Sequence, residues 1–502
     1  IVWFRKDLRL RDNPALFHAA QSFGSIVPVF VWSPEEEKGC VPGAAARAWI
    51  TEGLEGLNHS LIQRFRCPLV LRMAPKAADA LGKIMEESGA TAIFYNRVYE
   101  PLLMARDRQL ERQLKSRFPR VSFSSFSGYL LYEPAAVDVP CGFNGGHWGT
   151  LMPYVRATKK LPQPPRPLPI PRTICPHPYI TEISSSTPWH GNGFHLDDCS
   201  LKWGGPRNVW ASNMLDAWRV SPASEEAAQE RLALFLARKL GNYEKSRSRA
   251  DVHTKSASGE SPVSTLSPYL RWGQLSCRQL YWSVRDIQTS KTLPREKLKT
   301  FSRRLFWRDL AYFHFQAFPR MQTEPIRAHY AQHPWEGERD PSLLRAWQRG
   351  RTGYPIVDAA MRELWATGWM QQSVRMVAAS LLVEYLGINW ERGREWFADT
   401  LVDEDAAINA MMWQNAGRSG IDQWNFVLDP GSGAQDPTGS YVRRWLPELR
   451  GLPKKYLHRP WSADANTLRS AGVVLGRTYP HRIVTDLKAA RKQTVEGLRR
   501  LR

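Results

Sequence analysis

The chain has 502 residues, 43% of them hydrophobic, and a formal net charge of +21. That length exceeds one ordinary core and calls for two or three domains; the composition is globular, without a low-complexity run, and no apolar run is long enough to span a membrane. The excess of Lys and Arg points to nucleic acid or another polyanion as a partner, because clustered basic side chains release counterions from a phosphate backbone.

The first part of the chain alternates two kinds of pattern. IVWF (1–4), SIVPVFVW (25–32), CPLVLR (67–72) and TAIFYN (91–96) are short apolar runs that read as strands. Between them lie amphipathic stretches such as AAARAWITEGLEGLNHSLI (44–62) and AADALGKIMEESG (77–89), which read as helices. Fully apolar strands separated by helices predict a doubly wound parallel sheet covered on both faces, with ligand sites at the C-terminal ends of the strands. No GxGxxG or GxxxxGK[ST] follows a strand, so a phosphate-cradling loop of those kinds is not expected. We bound this α/β domain at residues 1–128.

Residues 129–222 form a connector. Prolines crowd KKLPQPPRPLPIPRTICPHP (159–178) and deny it helix and sheet interiors, so it is expected to wrap a surface rather than fold alone. From 223 to 502 helical periodicity dominates, clearest at 225–240, 295–318, 355–368, 370–387 and 391–402, the first four closed by Gly or Pro. This predicts a large all-helical domain.

The six cysteines are scattered, with no CxxC or Cys/His cluster, so neither a disulfide framework nor a metal site is expected. A reducing, intracellular compartment fits that usage. The sequence opens on Ile1 inside a strand-like run without an initiating Met, which reads as an excerpt of a longer chain. There are 21 tryptophans, most of them in the second half.

Two segments of the helical half carry chemistry. GWMQQSVRMVAAS (368–380) puts Gln372, Arg375 and Met376 on one helical face. Arg375 is flanked by Val374, Val377 and Ala378, so it is expected to be partly buried and to need a carboxylate, which Asp403 or Asp405 of DTLVDEDAAINAMMWQN (399–415) could supply. The hydroxyl-rich loop SPVSTLSPYLRWGQLS (261–276) leads into a helix, a setting in which hydroxyls and amides can hold phosphate.

These residues bring out a resemblance. WFRKDLRLRDNPAL (3–16), WQRGRTGYPIVDAAMRELWATGWM (347–370), VDEDAAINAMMWQNAG (402–417) and DPTGSYVRRWLPEL (436–449) resemble, in order and nearly end to end, the signatures of the cryptochrome/photolyase family. The resemblance implies an α/β antenna domain, a connector and a helical domain that grips FAD. It also implies roles for particular residues. Tyr243, Ser264, Leu266 and Ser267 would hold the flavin phosphates, and Arg308 and Trp369 would line the site. Arg375 and Asp403 would pair against the isoalloxazine, Asp405 would lie near the ribose and ring, and Asn409 would face flavin N5. Trp413, Trp390 and Trp335 match the family's electron-transfer chain.

Departures cluster at the substrate pocket. Repairing members carry Glu where this chain has Arg304, Asn where it has Gln372, and a base-stacking Trp where it has Asn415. Arg has no acceptor and cannot replace a glutamate that receives thymine N–H groups. Arg247, Trp307 and Met376 keep pocket identities, whereas Val263 stands where Thr is usual. The two His residues that mark (6-4) photolyases are absent, their places taken by Gln372 and Met376. Leu102 and Leu103 fall where folate-binding members carry Asn and Glu, which argues against a folate antenna and leaves a deazaflavin undecided. The expected function is therefore a blue-light photoreceptor with retained DNA affinity and a signalling protein as a further partner. The alternatives are a DNA photolyase acting on pyrimidine dimers and a DNA-binding flavoprotein with neither role.

Overall fold

The computed structural model describes residues 1–501 apart from 38, 139–148, 186–208, 221, 254–262 and 423–426. Cys141, Cys199, the start of the hydroxyl-rich loop at 261–262 and part of the Pro/Gly-rich connector lie outside the described residues.

Five parallel strands build the N-terminal sheet: β1 (Val2–Phe4), β2 (Pro28–Trp32), β3 (Val70–Met73), β4 (Ala92–Asn96) and β5 (Ser122–Phe126). Their order is β3-β2-β1-β4-β5, so the chain reverses its winding direction between β1 and β4. The pleat explains the continuous apolar runs. Val2 and Phe4 enter the core on one face while Trp3, between them, enters the core on the other. Helices Pro14–Ser22, Ala44–Phe65, Ala77–Ser88 and Pro101–Arg117 connect the strands.

The crevice at the C-terminal ends of β1 and β4 is filled by the protein's own charges. Arg5 Nη1 meets Asp107 Oδ2 at 2.5 Å, and its guanidinium lies 4.6 Å from the Trp3 ring centroid and 4.7 Å from that of Tyr95. Lys6 pairs with the fully buried Glu100.

The connector wraps both halves. Leu168 N donates to Asp12 Oδ1 at 2.9 Å, and the Pro164 carbonyl accepts from Trp282 Nε1 at 3.1 Å. Asp12, fully buried, also meets Arg278 Nη2 at 2.8 Å and accepts from the Ser276 hydroxyl. Three short helices, Leu151–Thr158, Ile180–Ser185 and Val209–Asp216, interrupt the connector. The remainder is helical. One apolar core runs from Val2 and Trp49 through Trp210 and Tyr269 to Val402, across the sheet and the helices. A second, built from residues such as Trp347, Leu382, Trp390, Trp413 and Tyr441, belongs to the helices alone. Among the described residues, no helix is long and apolar enough to cross a membrane.

Candidate functional site

The centre of the site is an ion pair between two distant segments. The Pro355–Thr367 helix ends at Gly368, and the Gln371 side chain caps the next helix, Gln372–Ser380, by accepting from Ser373 N at 2.9 Å. Arg375 stands one turn into that helix. The turn between helices Trp390–Thr400 and Ala406–Ala416 is fastened to the same place, since Val402 N donates to Gly368 O at 2.8 Å. Asp403 is thereby held at Arg375, whose Nη2 donates to Oδ1 at 3.1 Å and to Oδ2 at 2.9 Å. Ser267 Oγ donates to Asp403 Oδ2 at 2.6 Å and accepts from Trp369 Nε1 at 3.3 Å. Four residues assigned to the flavin thus form one hydrogen-bonded group. The Ser267 hydroxyl is thus engaged by the Asp403 carboxylate and the Trp369 indole.

Asp405 is held by groups of the protein itself. It caps the Ala406–Ala416 helix, its Oδ1 accepting from Ala407 N and Ile408 N, both at 3.2 Å. Its Oδ2 accepts from Tyr129 at 3.1 Å and Tyr312 at 3.0 Å, and Arg271 lies 3.8 Å away. Both oxygens are therefore occupied by protein groups, and the carboxylate belongs to the joint between the halves. Its neighbour Glu404 is buried, and that burial lifts its pKa to about 7.

Among the described residues of the helical half, two buried arginines have unused donors. Arg308, 7% exposed, stacks 4.1 Å over the Tyr129 ring, and its Nε and Nη2 have no hydrogen-bond partner. Arg231 reaches Thr265 Oγ1 through Nη1, while its Nε and Nη2 are unpartnered. Thr265 itself holds a φ of 48° in the hydroxyl-rich loop. Leaving such donors unsatisfied in the interior is costly, and an anionic, carbonyl-rich cofactor such as FAD would satisfy them. The residues present therefore fit that cofactor. Arg231 was not among the expected site residues. The only sequence signal for it was a charged residue on the inner face of EEAAQERLALFLARKL. In the same loop, the Ser264 hydroxyl accepts from Leu266 N at 3.4 Å, and Leu266 is buried.

The buried Asn409 donates from Nδ2 to the Arg394 carbonyl at 3.1 Å. This contact orients its carboxamide and leaves Oδ1 as an acceptor.

The three tryptophans of the expected relay differ in depth. Trp413 and Trp390 are 3% and 1% exposed, whereas Trp335 is half-buried. Glycines allow the first two to sit deep. A Cβ on Gly393 would lie 2.1 Å from Trp413 Cη2, and one on Gly417 would lie 2.5 Å from Trp390 Cδ1. Trp413 is thus laid on the helix that Trp390 begins, and Trp390 on the end of the helix that carries Trp413. The segment after Trp335 is tied to the start of the Trp390 helix: Gly337 N donates to Gly387 O and Asn389 N to Glu338 Oε1, both at 3.1 Å.

The pocket residues divide. Arg304 is half-buried on the Arg295–Ala317 helix, close enough to Tyr243 to act on its phenol electrostatically. Gln372 is exposed, and Trp307 and Met376 are half-buried. The backbone carbonyl of Arg247 accepts from Gln371, which brings Arg247 beside that segment. Asn415 is 3% exposed, with its unpartnered Oδ1 packed on Gly420, where a Cβ would lie 2.1 Å away. It is an interior residue. On the antenna side, Leu102 is 54% exposed and Leu103 is buried.

Residues 1–172 match the family described as DNA photolyase, and residues 301–500 match the FAD binding domain of DNA photolyase. Cryptochrome-2 of Arabidopsis thaliana is 34% identical, covering 100% of this chain and 79% of that protein. The deoxyribodipyrimidine photo-lyase of Agrobacterium fabrum is also 34% identical, covering 97% of this chain and 95% of that protein. Among solved structures, a class III photolyase from Agrobacterium tumefaciens has a TM-score of 0.83 at 32% identity, covering 100% and 97% of the two chains. A Synechocystis cryptochrome has a TM-score of 0.80 at 25% identity, covering 99% and 98%. The chain belongs to the cryptochrome/photolyase family of FAD-binding flavoproteins.

Proposed function

We propose that the protein is a blue-light photoreceptor of the cryptochrome kind that keeps an affinity for DNA. FAD, when bound, supplies the absorption of blue light and the acceptor for an electron. Trp413 gives that electron, Trp390 refills Trp413, and Trp335 refills Trp390 where the resulting charge meets water. The exposure of Trp335 supports this direction, since it is half-buried whereas Trp413 and Trp390 are both buried. Arg375 and Asp403 would hold the ring of FAD as a neutralised pair, and Asn409 would offer Oδ1 as a hydrogen-bond acceptor to it.

The observation that carries the receptor reading is Arg304, half-buried beside Tyr243 at the position where the resemblance puts a glutamate in repairing members. None of the expected pocket residues Arg247, Arg304, Trp307, Gln372, Met376 and Asn415 is a carboxylate. These six positions therefore offer no charged acceptor for thymine N–H groups.

A second reading, light-driven repair of pyrimidine dimers, is favoured by the net charge of +21 and by the likeness to the Agrobacterium enzyme. One experiment separates the two. The reduced protein is illuminated with dimer-containing single- and double-stranded oligonucleotides, and restored thymine absorbance is measured. Absence of restoration with photoreduction intact supports the receptor; efficient restoration overturns it.

A further inference from the structure

A cavity of about 480 Å³ opens where the turn after helix Pro341–Gln348 meets the turn at 476–480. Arg349, Arg351, Arg362, Glu448, Arg477 and Thr478 line it. None of these residues belongs to the flavin site or to the tryptophan relay. Four arginines face one glutamate, and that glutamate is already engaged, because Arg362 Nη2 meets Glu448 Oε1 at 2.8 Å. Arg349, Arg351 and Arg477 are exposed, and their side chains form no hydrogen bond or ion pair with any described residue.

The fold does not let these charges drift apart. Asp358 is fully buried on the Pro355–Thr367 helix. Its Oδ1 accepts from Thr352 N and Thr352 Oγ1, both at 2.7 Å, and its Oδ2 from Gly353 N at 3.0 Å and Tyr479 Oη at 2.7 Å. Ile483 N donates to the Thr352 carbonyl at 3.0 Å. One carboxylate therefore anchors the turn that carries Arg349 and Arg351 and the turn that carries Arg477. Three unpaired guanidinium groups held on one rigid frame repel each other until an anion joins them.

We propose that this cavity binds a free oligophosphate anion, two or three linked phosphoryl groups. The guanidinium fork matches phosphate oxygens bidentately, and three forks address more than one phosphoryl group. The cavity falls within the size range of small-ligand pockets, about 300–1,000 Å³. It is concave, which suits a compact anion better than a long polymer backbone.

The test is calorimetric titration of the FAD-loaded full chain with inorganic tripolyphosphate. Arg351→Ala/Arg477→Ala is compared with Arg120→Ala/Arg172→Ala, which removes the same charge from exposed positions elsewhere. We expect one saturable site whose affinity falls at least about tenfold in the cavity variant and is unchanged in the control. Melting temperature and the flavin absorption spectrum check that the variants fold; Arg477→Glu alone must also lose the site if the double variant melts early. No saturable binding, or equal losses in both variants, overturns the proposal. Undamaged duplex DNA must fail to displace tripolyphosphate. Stoichiometric displacement would make the site a contact for backbone phosphate and overturn the free anion.

Discussion

Asp403→Asn is the most informative single change at the flavin site. It keeps the side-chain shape and one acceptor oxygen but removes the charge that neutralises Arg375. In the wild type, Asp403 receives two contacts from Arg375 Nη2, at 2.9 and 3.1 Å, and one from Ser267 Oγ at 2.6 Å. The Asp403 side chain is 4% exposed and that of Arg375 23%. Breaking a buried pair from one side costs about 3–5 kcal/mol, because the other charge is left uncompensated. The partial exposure of Arg375 puts this pair at the lower end, about 3 kcal/mol, or roughly a hundredfold in the folding equilibrium. Urea unfolding of the FAD-loaded protein, followed by tryptophan fluorescence, measures the loss; gel filtration measures how much FAD stays bound. Arg375→Gln and the double variant complete the cycle. A real pair gives a coupling of at least about 1 kcal/mol, with the double variant less damaged than the sum. Additive losses, or an Asp403→Asn midpoint equal to wild type, would refute the reasoning.

Three further outcomes follow from the geometry. Trp390→Phe keeps an aromatic ring against Gly417 but removes the easily oxidised indole, so photoreduction measured by transient absorption should slow by orders of magnitude; an unchanged rate would mean that electrons travel by another route. Gly393→Ala drives a methyl into the Trp413 ring, to within 2.1 Å of Cη2, and should cost about 1–3 kcal/mol in chemical denaturation while disturbing photoreduction. Burial lifts the pKa of Asp309, Glu363 and Glu404 to about 7 each. The folded chain therefore holds protons that the unfolded chain releases near pH 4, and stability should fall as pH rises from about 4 to about 7. Glu363→Gln should flatten that slope in denaturation midpoints taken across this range, and an unchanged slope would count against the assignment.

Most of the sheet was legible because strands buried on both faces must be apolar throughout, as VWF, PVFVW and AIFYN are. β5, SFSSF, was missed because it lies at the edge of the sheet, only partly buried, where serines are tolerated. The helix expected at 370–387 is α-helical only to Ser380 and continues as a π turn over Leu381–Tyr385, a change of pitch that periodicity does not register. At the site, the apolar neighbours of Arg375 called for a carboxylate, but its identity needed one more local signal. Asp405 directly precedes AAINAMM and is a natural N-cap, which leaves Asp403 for the arginine. The Arg304–Tyr243 contact and the burial of Asn415 against Gly420 were not legible. They depend on segments brought together only by packing.

The joint at Asp12 has a consequence for light. Asp12 links β1's following loop to Arg278, Ser276 and Leu168, and the apolar core continues across the same boundary. The sheet and the helices thus behave as one body rather than two beads on a string. Transfer of excitation between two pigments depends on their separation and on the angle between their transition dipoles. A pigment seated on the sheet would keep both quantities fixed relative to the flavin, so its transfer yield would be set by the fold and insensitive to domain motion.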